Sequence, residues 1–240
     1  MRNRVRMLAG PNGSGKSTIL DMLRQSASFW LGMYLNADDV ERNLGRMGVH
    51  HFDDSPAMND WQSAWRQFLV QTAQTNRFEP HARFLNGIQW ESGSVHASEA
   101  PESSYGPGIV VEFAREQCLR QGWPCAFETV MSHSSKPEFL RRASQSGART
   151  YLYYVATESP DINIARVRLR QARGGHFVPD EKVRTRYERS LDLLPAAIAV
   201  SDRAFLFDNS GDAPELVAES QHGRLEYRTS HVPRWLDRVV

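Results

Sequence analysis

The chain has 240 residues, a formal net charge of +1, 24% charged residues and 40% hydrophobic residues. That length suits one α/β domain carrying an excursion, with a substantial buried core. The near-neutral balance argues against a protein built around nucleic acid or an anionic membrane surface, and no run approaches the roughly 18 apolar residues of a membrane span.

The first strand is expected at Val5 to Ala9, entered directly from Met1-Arg2-Asn3-Arg4 without an apolar signal segment, so a cytoplasmic protein is expected. Gly10-Pro11-Asn12-Gly13-Ser14-Gly15-Lys16-Ser17-Thr18 follows, and a helix runs from there to about Gln25. Glycines at this junction let the backbone curl into a nest of inward-pointing N–H groups at the positive end of the helix, a cradle for phosphate oxygens. Lys16 reaches the β- and γ-phosphates as a point charge, and the Ser17 hydroxyl is a magnesium ligand. Gly10, Asn12, Gly13, Ser14, Gly15, Lys16, Ser17 and Thr18 are therefore expected to bind a nucleoside triphosphate, with Mg2+ at Ser17. A chance Gly/Ser-rich turn would lack the strand before and the helix after.

Met33 to Asn36 reads as a short second strand ending at Ala37-Asp38-Asp39. Residues 41–108 then break the strand–helix rhythm and read as an insertion. Trp61, Trp65 and Phe68 fall on one helical face, a packing stripe in preference to a ligand platform, and Ser92 to Gly108 reads as a mobile loop. A helix at Ile109 to Gln121, a strand at Cys125 to Thr129, a helix from Pro137, a strand at Thr150 to Ala156, a helix at Asp161 to Arg173 and a strand at Ala204 to Phe207 complete the pattern. Residues 212–240 read as a C-terminal extension, with a hairpin around His222-Gly223 and a closing helix over Val232 to Val240. Cys118 and Cys125 form no metal-ligand pattern and are expected as buried thiols. Five parallel strands with crossover helices imply a three-layer α/β fold in a single 1–240 domain.

Open α/β sheets bind ligands beyond the carboxyl ends of their strands. Asp38 and Asp39, Glu128 and Thr129, and Asp208 with Asn209 stand there. In phosphoryl transfer a carboxylate accepts the proton of the acceptor hydroxyl; Asp38 is the candidate, with helix capping near Val40 the alternative for both aspartates. Residues 160–190 hold the densest basic stretch and read as an arginine-rich lid. Arg166, Arg170 and Arg173 share a helical face, and Gly174-Gly175 supplies a hinge. Arg168, Arg184 and Arg189 read as solvated.

Asn36-Ala37-Asp38, Phe127-Glu128-Thr129, Arg166 through Arg170 to Gly174-Gly175-His176 with Val178-Pro179, Arg186-Tyr187 with Ser190-Leu191, and Asp208-Asn209-Ser210 together resemble the zeta-toxin-like P-loop kinases. The resemblance spans most of the sheet framework and leaves out 41–108. It implies a shikimate-kinase-like P-loop NTPase core with Mg-ATP as phosphate donor. In the best-known members the acceptor is a UDP-activated amino sugar such as UDP-N-acetylglucosamine, whose phosphorylation poisons cell-wall synthesis; an antitoxin protein is the partner that the toxin branch suggests. On this resemblance Lys16 and Ser17 serve ATP and magnesium, Asn209 lies at the nucleotide, Asp38 is the base, Glu128 with Thr129 binds substrate, and Arg166 and Arg170 lie in the lid. Val130 stands where many relatives have a second threonine, which puts the sugar-nucleotide specificity in question. A polynucleotide kinase and a nucleotide-dependent binding module are the alternative readings. A transporter-type ATPase is disfavoured by the absence of a Leu-Ser-Gly-Gly-Gln signature.

Overall fold

The computed structural model of the chain describes residues 3–25, 30–73, 79–174 and 177–239. It is a mixed α/β fold with a large, mostly parallel sheet and helices. Two compact units divide the chain, one formed by residues 1–30 and 128–240, the other by 31–127.

In the first unit the strands lie in the order β10-β9-β8-β7-β1. β1 (Arg4–Ala9) and β8 (Arg203–Asp208) run parallel to β7 (Arg149–Ala156) on either side, with Ala9 opposite Tyr154 and Ala156 opposite Asp208. That register aligns the carboxyl ends of the three strands, so Gly10, Thr157 and Asn209 all emerge at one edge. The strands form because their apolar runs are buried on both faces, the usual state of a parallel sheet: Val5, Met7, Ala9, Leu152, Val155 and Leu206 are inaccessible to solvent. β9 (Glu215–Gln221) and β10 (Arg224–Tyr227) extend the sheet antiparallel, joined at His222-Gly223, where both residues take positive φ as a tight hairpin turn requires. The closing helix is shorter than expected, α10 covering Arg234–Asp237 after Pro233.

Helices also shape this unit. α1 (Lys16–Arg24) follows β1, α6 (Ser135–Gln145) precedes β7, and α7 (Pro160–Ala172) and α8 (Asp180–Asp192) follow it, with a short α9 (Leu194–Ala199) behind. α7 opens with Pro160 at its first position, where a missing N–H costs nothing. α7 and α8 are zipped together by buried Ile164, Val167, Val178 and Val183 and by the ion pairs Arg168–Asp180 and Arg184–Asp161. Those two arginines are paired rather than merely solvated.

In the second unit β2 (Met33–Leu35) pairs parallel with β6 (Cys125–Thr129), Met33 facing Cys125. α2 (Ala37–Met47) leads to a three-stranded antiparallel sheet ordered β3-β5-β4, from β3 (Val49–His51), β4 (Ile88–Glu91) and β5 (Ser94–Ala97). α3 (Trp61–Ala73) and the short α4 (Ala82–Asn86) lie between β3 and β4. Trp61 and Trp65 are buried with Trp90 and Phe113 in edge-to-face contacts, with ring centroids 5.0 to 6.1 Å apart, so the stripe on α3 is indeed packing. The expected loop from Ser92 to Gly108 instead contains β5 and the first turn of α5 (Tyr105–Arg120). Pro107 is tolerated there because the first-turn N–H groups of a helix have no intrahelical acceptor. Cys118 and Cys125 are buried free thiols, and their mutual hydrogen bond followed by burial pushes the Cys118 thiol well above its ordinary pKa. Among the described residues no helix is long and apolar enough to cross a membrane.

Candidate functional site

The loop between β1 and α1 is bent by three glycines at positive φ: Gly10 (145°), Gly13 (77°) and Gly15 (97°). Each also has its bare Cα pressed against protein. A Cβ on Gly10 would stand 2.1 Å from the Val155 carbonyl oxygen, on Gly13 2.5 Å from the Asn163 carbonyl oxygen, and on Gly15 2.0 Å from Asn209 Nδ2. Glycine is required here for close packing as well as for backbone angle. Gly15 is the residue preceding α1, and no side chain caps that helix, which leaves its positive end open to an anion. Ser17 and Thr18 are exposed on its first turn. Lys16 Nζ donates to the carbonyls of Gly10 at 2.9 Å and Pro11 at 3.1 Å, folding the side chain back over the loop.

Neighbouring strand ends and α7 grip this loop. Asn163, fully buried on α7, donates from Nδ2 to the Asn12 carbonyl at 2.6 Å, while its Oδ1 accepts from the Thr157 hydroxyl. Asn209, beyond β8, donates from Nδ2 to the Ser14 carbonyl at 2.7 Å. Arg166 Nη1 donates to the Asn209 carbonyl at 2.7 Å, which links α7 to the loop a second time. Thr129 joins from β6: its carbonyl accepts from the Gly10 N–H at 3.3 Å and its hydroxyl accepts from Met131 N at 3.1 Å. The first unit thus gathers residues 10–18, Thr129, Asn209 and Arg166. Glu128 adjoins Thr129, half-buried.

Arg186 on α8 also reaches the loop, its Nη1 donating to Asn12 Oδ1 at 3.3 Å. The guanidinium is half-buried, and desolvation alone pushes its pKa below the ordinary arginine value. Among the described residues no carboxylate pairs with it. The next residue, Tyr187, is buried and donates its hydroxyl to the Thr157 carbonyl at 2.6 Å. Arg170 and Arg173 are exposed further along α7 and its end. Gly175 and His176 of the expected hinge lie outside the described residues. Asn163 carried a legible signal: a lone amide at the core-facing position of an otherwise apolar helix stripe with Ile164 and Val167.

Asp38 belongs to the second unit. α2 starts at Ala37, earlier than Val40, and its N-cap is Asn36, whose Oδ1 accepts from Asp38 N at 2.9 Å. Neither aspartate caps the helix. Asp39 pairs with Arg42 at 2.6 Å, whereas Asp38 is exposed and its carboxylate makes no hydrogen bond or ion pair among the described residues.

No protein-family model matches the chain. An uncharacterised protein of Haemophilus influenzae is 32% identical over 66 residues, a stretch that is 28% of this chain and 46% of that protein. A chain of the AvrRxo1-ORF1:ORF2 complex superposes with a TM-score of 0.56 at 12% identity, over 99% of this chain and 63% of that one. The same complex with ATP gives 0.50 at 13% identity, over 95% and 61%. A structure from the PezAT chromosomal toxin–antitoxin system of Streptococcus pneumoniae gives 0.54 at 11% identity, over 100% and 79%. The chain shares their α/β fold. It is the fold that the resemblance to zeta-toxin-like P-loop kinases implies. The chain spans less than two thirds of the AvrRxo1 chains and under half of the Haemophilus protein.

Proposed function

We propose that this chain is a Mg-ATP-dependent kinase that transfers the γ-phosphate to a hydroxyl of a small metabolite. The acceptor is a nucleotide-activated sugar such as UDP-N-acetylglucosamine, the cellular outcome is that of a bacterial toxin acting in the cytoplasm, and an antitoxin is its partner. The observation that carries the kinase reading is Arg186. A half-buried guanidinium without a carboxylate is costly to maintain, and this one, unpaired among the described residues, bonds Asn12 within the glycine loop. A polyanion arriving at the loop would supply the missing counter-charge. The fold shared with an ATP-bound AvrRxo1 complex and with the PezAT system supports the same direction.

In this reading the loop N–H groups and Lys16 hold the β- and γ-phosphates, and Arg186 with the lid arginines Arg166 and Arg170 neutralises charge spreading over the transferring group. Asp38, exposed and unengaged, takes the proton from the acceptor hydroxyl. Glu128 and Thr129 orient the acceptor. Ser17 would hold magnesium, which would supply positive charge to offset that of the phosphates. The exposed Ser17 hydroxyl at the start of α1 fits that ion, since Mg2+ keeps several waters and takes few protein ligands alongside the phosphates.

The test mixes the protein, ATP and a small-molecule cell extract, and follows metabolites by mass spectrometry. One species should gain a phosphate, with UDP-N-acetylglucosamine the first acceptor to try alone. Labelling of an oligonucleotide end instead would assign a polynucleotide kinase, and ATP consumption independent of any acceptor a nucleotide-driven binding module.

A further inference from the structure

A peptide unit is planar and trans, so its C=O and the N–H that follows point in opposite directions. Whatever fixes a carbonyl therefore aims the next amide. In the loop, the carbonyl of Asn12 is held by Asn163 and the carbonyl of Ser14 by Asn209. The amides aimed by these two bonds are those of Gly13 and Gly15, which belong to the loop's anion nest. The two clamps have different supports. Asn163 is oriented by the Thr157 hydroxyl, and the Asn209 main chain is anchored by Arg166 and by its N–H to the Ala156 carbonyl at 2.8 Å.

We infer that Asn163 and Asn209 are positioning residues that turn the Gly13 and Gly15 amides toward a bound phosphate chain. This rests on the reading of the loop as an anion cradle. It also assigns Asn209 a role through the loop backbone, since its Nδ2 donates to the Ser14 carbonyl. Asn163 and Asn209 are buried, and the Cα atoms of Gly13 and Gly15 pack against those same two residues, so an amide released from its clamp has little room except to rotate away from the nest. Arg166 becomes part of this bracing through its bond to Asn209, while Arg170, exposed one turn further, does not.

The experiment compares wild type with Asn163→Ala, Asn163→Asp, Asn209→Ala and Asn209→Asp. It measures amide hydrogen exchange at Gly13 and Gly15 without ligand, and affinity for Mg-ATP and for inorganic tripolyphosphate. Both aspartate variants preserve shape but lack the donor, and Asn163→Asp also keeps the bond from Thr157; exchange is the readout for them because their charge would itself repel phosphate. Each Asn163 variant should speed exchange at Gly13 and each Asn209 variant at Gly15, with β1 amides unchanged. Each alanine should weaken both ligands by about tenfold, the scale of one lost charge-assisted contact. Unchanged exchange at both glycines, or unchanged tripolyphosphate affinity in both alanine variants, overturns the inference. If wild type binds neither ATP nor tripolyphosphate, the kinase reading falls, while exchange in the free protein still decides the clamp. Should the Asn163 variants fail to fold, Gly15 exchange in the Asn209 pair decides it.

Discussion

Replacing Arg186 by methionine separates binding from stability. The side chain's hydrogen bond to Asn12 is long, at 3.3 Å, and desolvation opposes its charge with no ion pair among the described residues to offset it. At that length the bond contributes at most about 1 kcal/mol, and exchanging a half-buried charge for an apolar stem of similar length offsets that loss. For a chain of this size 1 kcal/mol corresponds to roughly 2–4 °C in Tm, so Arg186→Met should melt within about 3 °C of wild type, or higher. Mg-ATP affinity should fall by about 100-fold, the equivalent of about 3 kcal/mol for a bidentate guanidinium–phosphate contact. Arg168→Met is the matched control, because Arg168 is exposed and paired to Asp180; it should leave affinity unchanged. Thermal melts read the first quantity and calorimetric titration the second. Wild-type affinity in Arg186→Met, or a Tm loss of more than about 6 °C, would refute the assignment of this guanidinium to the phosphates.

Lys16→Ala and Asp38→Ala should each abolish transfer in an ADP-release assay, the first with lost ATP binding and the second without; full activity in Asp38→Ala removes it from the base role. Gly10→Ala should cost far more than Gly122→Ala. Both glycines have positive φ, but a Cβ at Gly122 meets nothing within 4 Å whereas at Gly10 it meets a backbone oxygen at 2.1 Å; about 1–2 kcal/mol is expected at Gly122 and more than about 3 kcal/mol at Gly10, by denaturant titration. His50 is buried, and desolvation pushes its pKa below the ordinary value. Below about pH 6.5 the unfolded chain therefore binds a proton that the folded one resists, and stability falls as pH drops through that window. The Tm loss between pH 7.5 and 5 should shrink in His50→Gln; an equal loss would contradict it.

Much of the sheet framework was legible because parallel strands buried on both faces are written as mostly apolar runs, such as Val5 to Ala9, interrupted only by Arg6, and Thr150 to Ala156. The glycine loop was legible from its flanks, and the hairpin from His222-Gly223. The three-stranded sheet was hidden because its strands are three or four residues long and carry His50, His51, Gln89 and Glu91, too few positions to establish alternation. Ser92-Gly93 reads as loop when its two flanking strands are invisible. Among site residues, the spacing of Arg166 and Arg170 on α7 reveals a shared helical face but not that Arg166 bonds the Asn209 carbonyl while Arg170 is exposed. The buried amide of Asn163 answers to a carbonyl 151 residues away in sequence, a partner that no local pattern encodes.

Adjacent residues on α8 divide two tasks: Tyr187 is pinned to the end of β7 while Arg186 extends to the loop. Successive residues in an α-helix are rotated by about 100°, so the tyrosine's anchorage dictates the angular phase from which the guanidinium departs. Length changes ahead of Arg186 carry both residues together and leave that relative phase unaltered. A single residue added between Arg186 and Tyr187 does not, since it would swing either the anchor or the cation off its target, and the spacing of this pair is therefore the quantity a redesigned α8 must keep.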